Sequence, residues 1–265
     1  MTADVNGLIA AIGNTKVLIT AVIFALLFIA ERVFAAASPP KGKERLVRNF
    51  GLMFVILLLS PLIITPITGL GANHLLWTRP DWMVTGAIAL VVLAIDIALL
   101  DFWTYWVHRF YHRTPLFWRL HRVHHLDEFL DTTSAFRFHV GEVILSAFLR
   151  LIPIVILAPS LMTVIFYETL LVATALFHHS NLRMPPKFER GLALFIVTPS
   201  IHWVHHHATV FDTNSNFAAV FSLWDRLFSS KSSTKRDRNM KIGLESIEDK
   251  SFFGLILMPF QRKER

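Results

Sequence analysis

Long apolar runs limit what this chain can fold into more than any other feature. A helix needs roughly 20 predominantly apolar residues to cross the hydrocarbon core of a bilayer. Runs of that kind lie at about 17–37, 50–70 and 83–100, and a longer one at 143–177 is split by Ala158-Pro159-Ser160. With 54% of its 265 residues hydrophobic, the chain is too apolar for an ordinary soluble domain of this length. The expectation is an all-α, polytopic membrane protein of about four transmembrane helices, because a helix satisfies its backbone N–H and C=O groups within its own segment. The start of the first run loosely imitates a secretory signal, with Lys16 ahead of it and the small residues Ala35 to Ser38 behind. Asp4, the lack of a basic residue before Lys16, and Glu31-Arg32 near the supposed cleavage site favour an uncleaved first helix.

The net charge is +7, and the basic residues sit in short segments beside the apolar runs, which points to anionic lipid headgroups and away from nucleic acid. Lys41, Lys43, Arg45 and Arg48 follow the first run, and Arg109, Arg113, Arg119, Arg122 and Arg137 follow the third. The positive-inside rule puts both segments in the cytosol, with the nearly uncharged stretch 71–82 outside. An integral membrane protein with its histidine- and arginine-rich segment on the cytosolic face is expected. Three parts follow: N-terminal transmembrane helices (1–100), a histidine-rich domain with a membrane hairpin at 143–177 (101–228), and a basic cytosolic tail (229–265). The absence of cysteine excludes disulfides, zinc–thiolate sites and cysteine-held iron–sulfur clusters.

Of 13 histidines, all but His74 lie between His108 and His207. His108 and His112 are four apart, so both project from one helical face. His121, His124 and His125 form an i, i+3, i+4 set, which His202, His205 and His206 repeat; His178, His179 and Asn181 lie between. So many imidazoles exceed what one ion uses, since first-row metals take roughly four to six ligands. Two metals fit the count. Imidazole alone leaves the metal open among Zn, Cu, Fe and Ni. A histidine cage just beneath a membrane suits a lipid presenting an unactivated C–H bond, which redox-active metal with oxygen attacks. Asp101, seven residues before His108 on the same helical face, leads the carboxylates that could orient a ligating ring, ahead of Asp131, Glu142 and Asp225. Asn214 and Asn216 read as turn formers, and His207 as pointing away from its neighbours.

The segments "HRFYH", "HRVHH", "RFHVGE", "FHHSN" and "TPSIHWVHHH", with "TNSNFAAVFSLWDRLFSS" after them, resemble the fatty acid hydroxylase/sterol desaturase superfamily, most closely its bacterial sterol-desaturase-like branch. The likeness covers about residues 96–265. It implies a non-haem di-iron enzyme with four transmembrane helices and a cytosolic cap, its catalytic domain at 101–228 and its active site on the cytosolic face of a bacterial inner membrane, which hydroxylates or desaturates a lipid with O2 and electrons from an external donor of reductase, ferredoxin or cytochrome type. The boxes carry over onto His108, His112, His121, His124, His125, His202, His205 and His206. The remaining motif falls on His179 rather than His178, and His139 and Glu142 match an element whose members act as ligands or as their support. Ser229 stands where the family commonly has glycine. The competing reading is a non-enzymatic membrane metal-binding or metal-transport protein, for which Asp96, Glu168 and Arg150 are the ionisable residues within the apolar runs.

Overall fold

A computed structural model describes residues 5–261, and these are helices joined by turns, with isolated bridges in place of any strand among the described residues. The first half contains α1 (Val5–Val33), α2 (Glu44–Leu59), α3 (Thr65–Asn73), the single turn α4 (Asp81–Val84), α5 (Gly86–Arg113) and α6 (Pro115–His125). The second half contains α7 (Val140–Leu157), α8 (Leu161–His179), α9 (Pro186–Leu192), α10 (Pro199–His205), the short α11 (Val210–Thr213) and α12 (Leu223–Leu227), and α13 (Phe252–Leu257).

Four segments are long and apolar enough to cross a membrane: Glu44–Gly71, Gly86–Arg113, Val140–Leu157 and Leu161–His179. Their outward side chains, such as Leu57, Leu62, Leu90, Phe148 and Phe166, are exposed apolar surface of the kind lipid covers, and α1 presents Val22, Leu26 and Ile29 likewise. Pro61 and Pro66 do not end the second run. The chain passes from α2 through a π-helical turn at Ser60–Ile64 into α3, which absorbs the hydrogen bonds proline cannot make.

Hydrogen bonds fix which ends lie together. At one end, Leu76 N donates to Val155 O, Trp77 Nε1 to Ile156 O, and the Arg79 guanidinium to Leu157 O. The 74–80 loop therefore lies against the turn between α7 and α8. At the other end, Arg45 and Asn49 of α2 bond Asp127, and Arg45 also pairs with Asp131. Arg137 bonds Asn49 and Asp249 there, while Ala36 N donates to Asn181 O. That second end carries all the clustered histidines.

Two of the hydropathy boundaries do not coincide with breaks in the structure. Helix α5 runs through residues 100 and 101 without a break, so the apolar run and His108 and His112 share one rigid rod. The 229–261 segment is no free tail: Ser230, Ser232, Leu255 and Met258 are buried, and Ala208 N and Gly243 N bond Lys241 O and His206 O, closing it over the histidines.

Candidate metal centre

Four helices deliver the imidazoles. The last turns of α5 project His108 and His112 on one face; α6 presents His121, His124 and His125; α10 presents His202 and His205, with His206 at its C-terminal cap. The end of α8 adds His178 and His179. The side chains sort into two groups. His108, His112, His121, His125 and His205 form one, and His124, His179, His202 and His206 the other, with the potential ligand nitrogens of each group within 4.8 Å of one another. The i, i+3, i+4 spacing explains the division, because neighbouring positions on one helix aim at different groups.

Backbone carbonyls and one carboxylate hold the rings. Nδ1–H of His108 donates to Phe217 O at 2.8 Å, that of His124 to Arg137 O at 3.2 Å, that of His179 to Ala175 O at 2.8 Å, and that of His205 to Ser215 O at 2.6 Å. His121 Nδ1 donates to Glu142 Oε1 at 2.7 Å. Each bond leaves Nε2 of a neutral ring as a bare lone pair aimed inward. Burial holds His124, His125, His202, His205 and His206 well below the ordinary histidine pKa, with their crowded neighbours adding to the effect, so these rings are neutral.

Bare nitrogens then face one another. His179 Nε2 lies 3.1 Å from His124 Nε2, although both rings have already committed their proton at Nδ1, and His108 Nε2 lies 3.2 Å from His121 Nε2. Two lone pairs cannot hydrogen-bond each other, but a cation between them satisfies both. Eight buried histidine nitrogens, on His112, His125, His178, His202, His205 and His206, have no hydrogen-bond partner among the described residues. Each would cost about 1–3 kcal/mol if left unmet, against a total stability of only about 5–15 kcal/mol for a typical protein. This donor set fits metal ions and fits little else.

The other expected site residues take different places. His178 is buried in neither group, its ring 4.0 Å from that of His202. His139 caps α7: Nδ1 accepts from Gly141 N and Nε2–H donates to Ile256 O, so both nitrogens are used away from the groups. Asp101 touches no histidine, but accepts from Val220 N, Phe221 N and Trp224 Nε1, and so anchors the loop whose Phe217 carbonyl holds His108. Asp225 likewise accepts from Phe217 N, Ala218 N and Ser230 Oγ rather than pairing with a neighbouring arginine. Asp131 caps the 132–136 turn, and Asn181 exchanges two bonds with the backbone of Ala37. His207 Nδ1 donates to Asp212 at the rim, and His74 is exposed at the far end. Asn216 adopts φ 52° at a turn, and Ser229 has φ 51°, the left-handed backbone that suits the glycine common in the family at this position.

A cavity of about 340 Å³ opens beside both groups. Val107, Phe138, Val143 and Leu171 wall it, His108, His121, His124 and His179 reach into it, and it extends along α7 and α8 into the apolar half of the bundle. Trp103 and Tyr111 also line it, whereas Trp106 and Phe110 face outward, so the aromatic residues of α5 serve both as cavity wall and as surface. Sequence reasoning had no means to find Arg150 as a lining residue, since that depends on which side of α7 faces α8.

A multi-pass helical membrane protein with two adjoining histidine clusters at one end is the class this architecture defines. The sequence matches the fatty acid hydroxylase profile over residues 92–230, just over half of the chain, and the protein belongs to that family. It is 29% identical over 175 residues to ornithine lipid hydroxylase of Rhizobium tropici, covering 66% of this chain and 51% of that one. It is 29% identical over 130 residues to alkylglycerol monooxygenase of Danio rerio (49% of this chain, 28% of that one). To methylsterol monooxygenase 2-2 of Arabidopsis thaliana it is 25% identical over 165 residues (61% and 59%). The chain thus spans about half the length of the first of these relatives and less of the second. No solved structure matches.

Proposed function

We propose that this protein is a membrane-bound non-haem di-iron oxygenase that hydroxylates or desaturates a lipid. The observation carrying this reading is the pair of adjoining imidazole sets beside a cavity continuous with the apolar half of the bundle. His108, His112, His121, His125 and His205 would hold one ion and His124, His179, His202 and His206 the other. Bound iron, with O2 and electrons from an external donor, supplies the oxidising power to break an unactivated C–H bond, which imidazole acid–base chemistry does not. The chain's own residues do the rest. Apolar side chains of α5, α7 and α8 orient the lipid and exclude water, the backbone carbonyls fix each ring's tautomer, and Glu142 holds His121.

The lipid names of the relatives support a lipid substrate. The basic segment 41–48 lies at the histidine end, which favours a cytosolic active site and, for a bacterial chain, the inner membrane. Residues 101–228, with the α7–α8 hairpin, would form the catalytic part, flanked by 1–100 and 229–265. A metal transporter is disfavoured because the intramembrane carboxylates among the described residues are paired, Asp96 with Arg79 and Glu168 with Lys16 and Arg150, leaving no string of free carboxylate ligands among those residues.

The test compares lipid extracts of cells expressing the intact protein or His124→Ala by mass spectrometry, alongside elemental analysis of both purified proteins. An added oxygen, or loss of two hydrogens, confined to the intact protein and accompanied by iron is expected. Unchanged lipids with a fully metal-loaded protein would point to the metal-carrier reading.

A further inference from the structure

Three charged side chains meet in the apolar half of the bundle, one each from α1, α7 and α8. Both oxygens of Glu168 are occupied: Oε2 lies 2.5 Å from Lys16 Nζ and Oε1 lies 2.7 Å from Arg150 Nη1. Two cations against one carboxylate leave a surplus positive charge where charge is costly to hold. Arg79, the other arginine in this half, shows what full satisfaction looks like. Two of its nitrogens bond Asp96 at 2.7 and 2.8 Å, and it also donates to Leu157 O. Arg150 makes a single hydrogen bond among the described residues although guanidinium offers five donors. It lines the same cavity as the histidines, with its side chain 24% exposed. A tie between helices needs one cation per carboxylate; the second stands at the cavity wall with donors free.

Along α7, Arg150 stands two turns beyond Glu142, about 12 Å by helix rise, and side chains on a helix lean back toward its N-terminus, here toward the histidines. The cavity therefore has the histidine groups at one end and a guanidinium with spare donors partway along its wall. We propose that Arg150 binds an anionic oxygen group of the lipid, a carboxylate or phosphate, and so fixes which carbon of the attached chain lies against the histidines. This rests on the reading of the cavity as the lipid site. It makes the substrate a lipid that carries an anionic group, and it excludes wholly neutral hydrocarbon.

Binding measured without turnover tests it. Intact, metal-loaded protein in neutral phosphatidylcholine nanodiscs is titrated with labelled palmitate, competed by unlabelled palmitate, by methyl palmitate or by phosphatidate, for the parent and for Arg150→Gln, Arg150→Lys and Glu168→Gln. The parent is expected to prefer palmitate over its methyl ester by about tenfold or more, as for a charge-assisted hydrogen bond. Arg150→Gln removes the preference, Arg150→Lys keeps part of it, and Glu168→Gln, which frees Arg150 from its tie, keeps or raises it. Competition by phosphatidate as well as palmitate assigns the site to a phosphate headgroup; competition by palmitate alone assigns it to a carboxylate. Equal binding of acid and ester by the parent, or a preference that survives in Arg150→Gln with an unchanged melting temperature, overturns the proposal. If Arg150→Gln does not fold, loss of the preference in Glu168→Gln does so. Since no oxidation is read, a failure of the oxygenase reading shows in the lipid extracts and leaves this result separate.

Discussion

The two histidine groups share α6 and α10 and differ in the third helix, which is α5 for the group of five and α8 for the group of four. They differ also in support. In the larger group a carboxylate, Glu142, holds one ring, and two rings, His112 and His125, have both nitrogens free. In the smaller group the supports are all backbone carbonyls, and three Nε2 contacts of 3.0–3.2 Å chain the four rings together. A four-member set has no ligand to spare for a tetrahedral ion, whereas a five-member set can lose one and still reach four. Equal chemistry of the ligands therefore does not mean equal tolerance to their loss.

The largest expected effect follows from that inequality. His202→Ala should lower metal content by about one ion per chain and bring lipid oxidation to background, while His125→Ala should lose activity but retain more metal. Elemental analysis of the two purified variants decides it, and equal metal loss in both would break the distinction. Next comes Glu142→Gln, which keeps the shape but weakens the hold on His121. About a 10–100-fold loss in metal affinity of the larger group, or in activity, is expected, and a loss confined to the smaller group would show that the two are not separately supported.

Asp101→Asn should act on stability more than on chemistry. Its carboxylate accepts three bonds from the 220–224 segment, and weakening them should cost about 1–3 kcal/mol, read as a lower melting temperature with metal content retained in the cold. Direct loss of metal at low temperature would place Asp101 closer to the ligands than its bonds do. The smallest effect belongs to Ser229→Gly. Relief of the left-handed backbone at φ 51° should raise stability by up to ~1 kcal/mol, and a lower melting temperature would show that the Ser229 side chain contributes more than its strain costs.

The membrane architecture and the histidine sets were legible because both depend on local spacing: 20-residue apolar runs and i, i+3, i+4 repeats carry their geometry with them. The missed features depend on partners far along the chain. Asp101 looked like a support for His108 because they share a helical face, yet its partners, Tyr167 and the 220–224 segment, lie 66 to 123 residues away. His139 matched a motif whose members act as ligands or as their support, and the Gly141 N–H at the start of α7 and the carbonyl of Ile256 claim its nitrogens. The hydropathy boundary at residue 100 marks a change of polarity, and a helix can continue across such a change when its backbone bonds stay intact. Which of His178 and His179 joins a group depended on the rotation of the last turn of α8, and spacing alone does not set that.

The opposed lone pairs of His124 and His179 bear on how much of this protein a cell keeps. Under the proposed loading, ions that bind the folded chain and not the unfolded one shift the balance toward the fold with rising concentration. Starved of metal, the chain faces its own electrostatic repulsion at the point where four helices converge, and spends more time open to proteolysis. Its abundance would then report the cellular iron supply, with scarcity read as missing protein before it is read as idle enzyme.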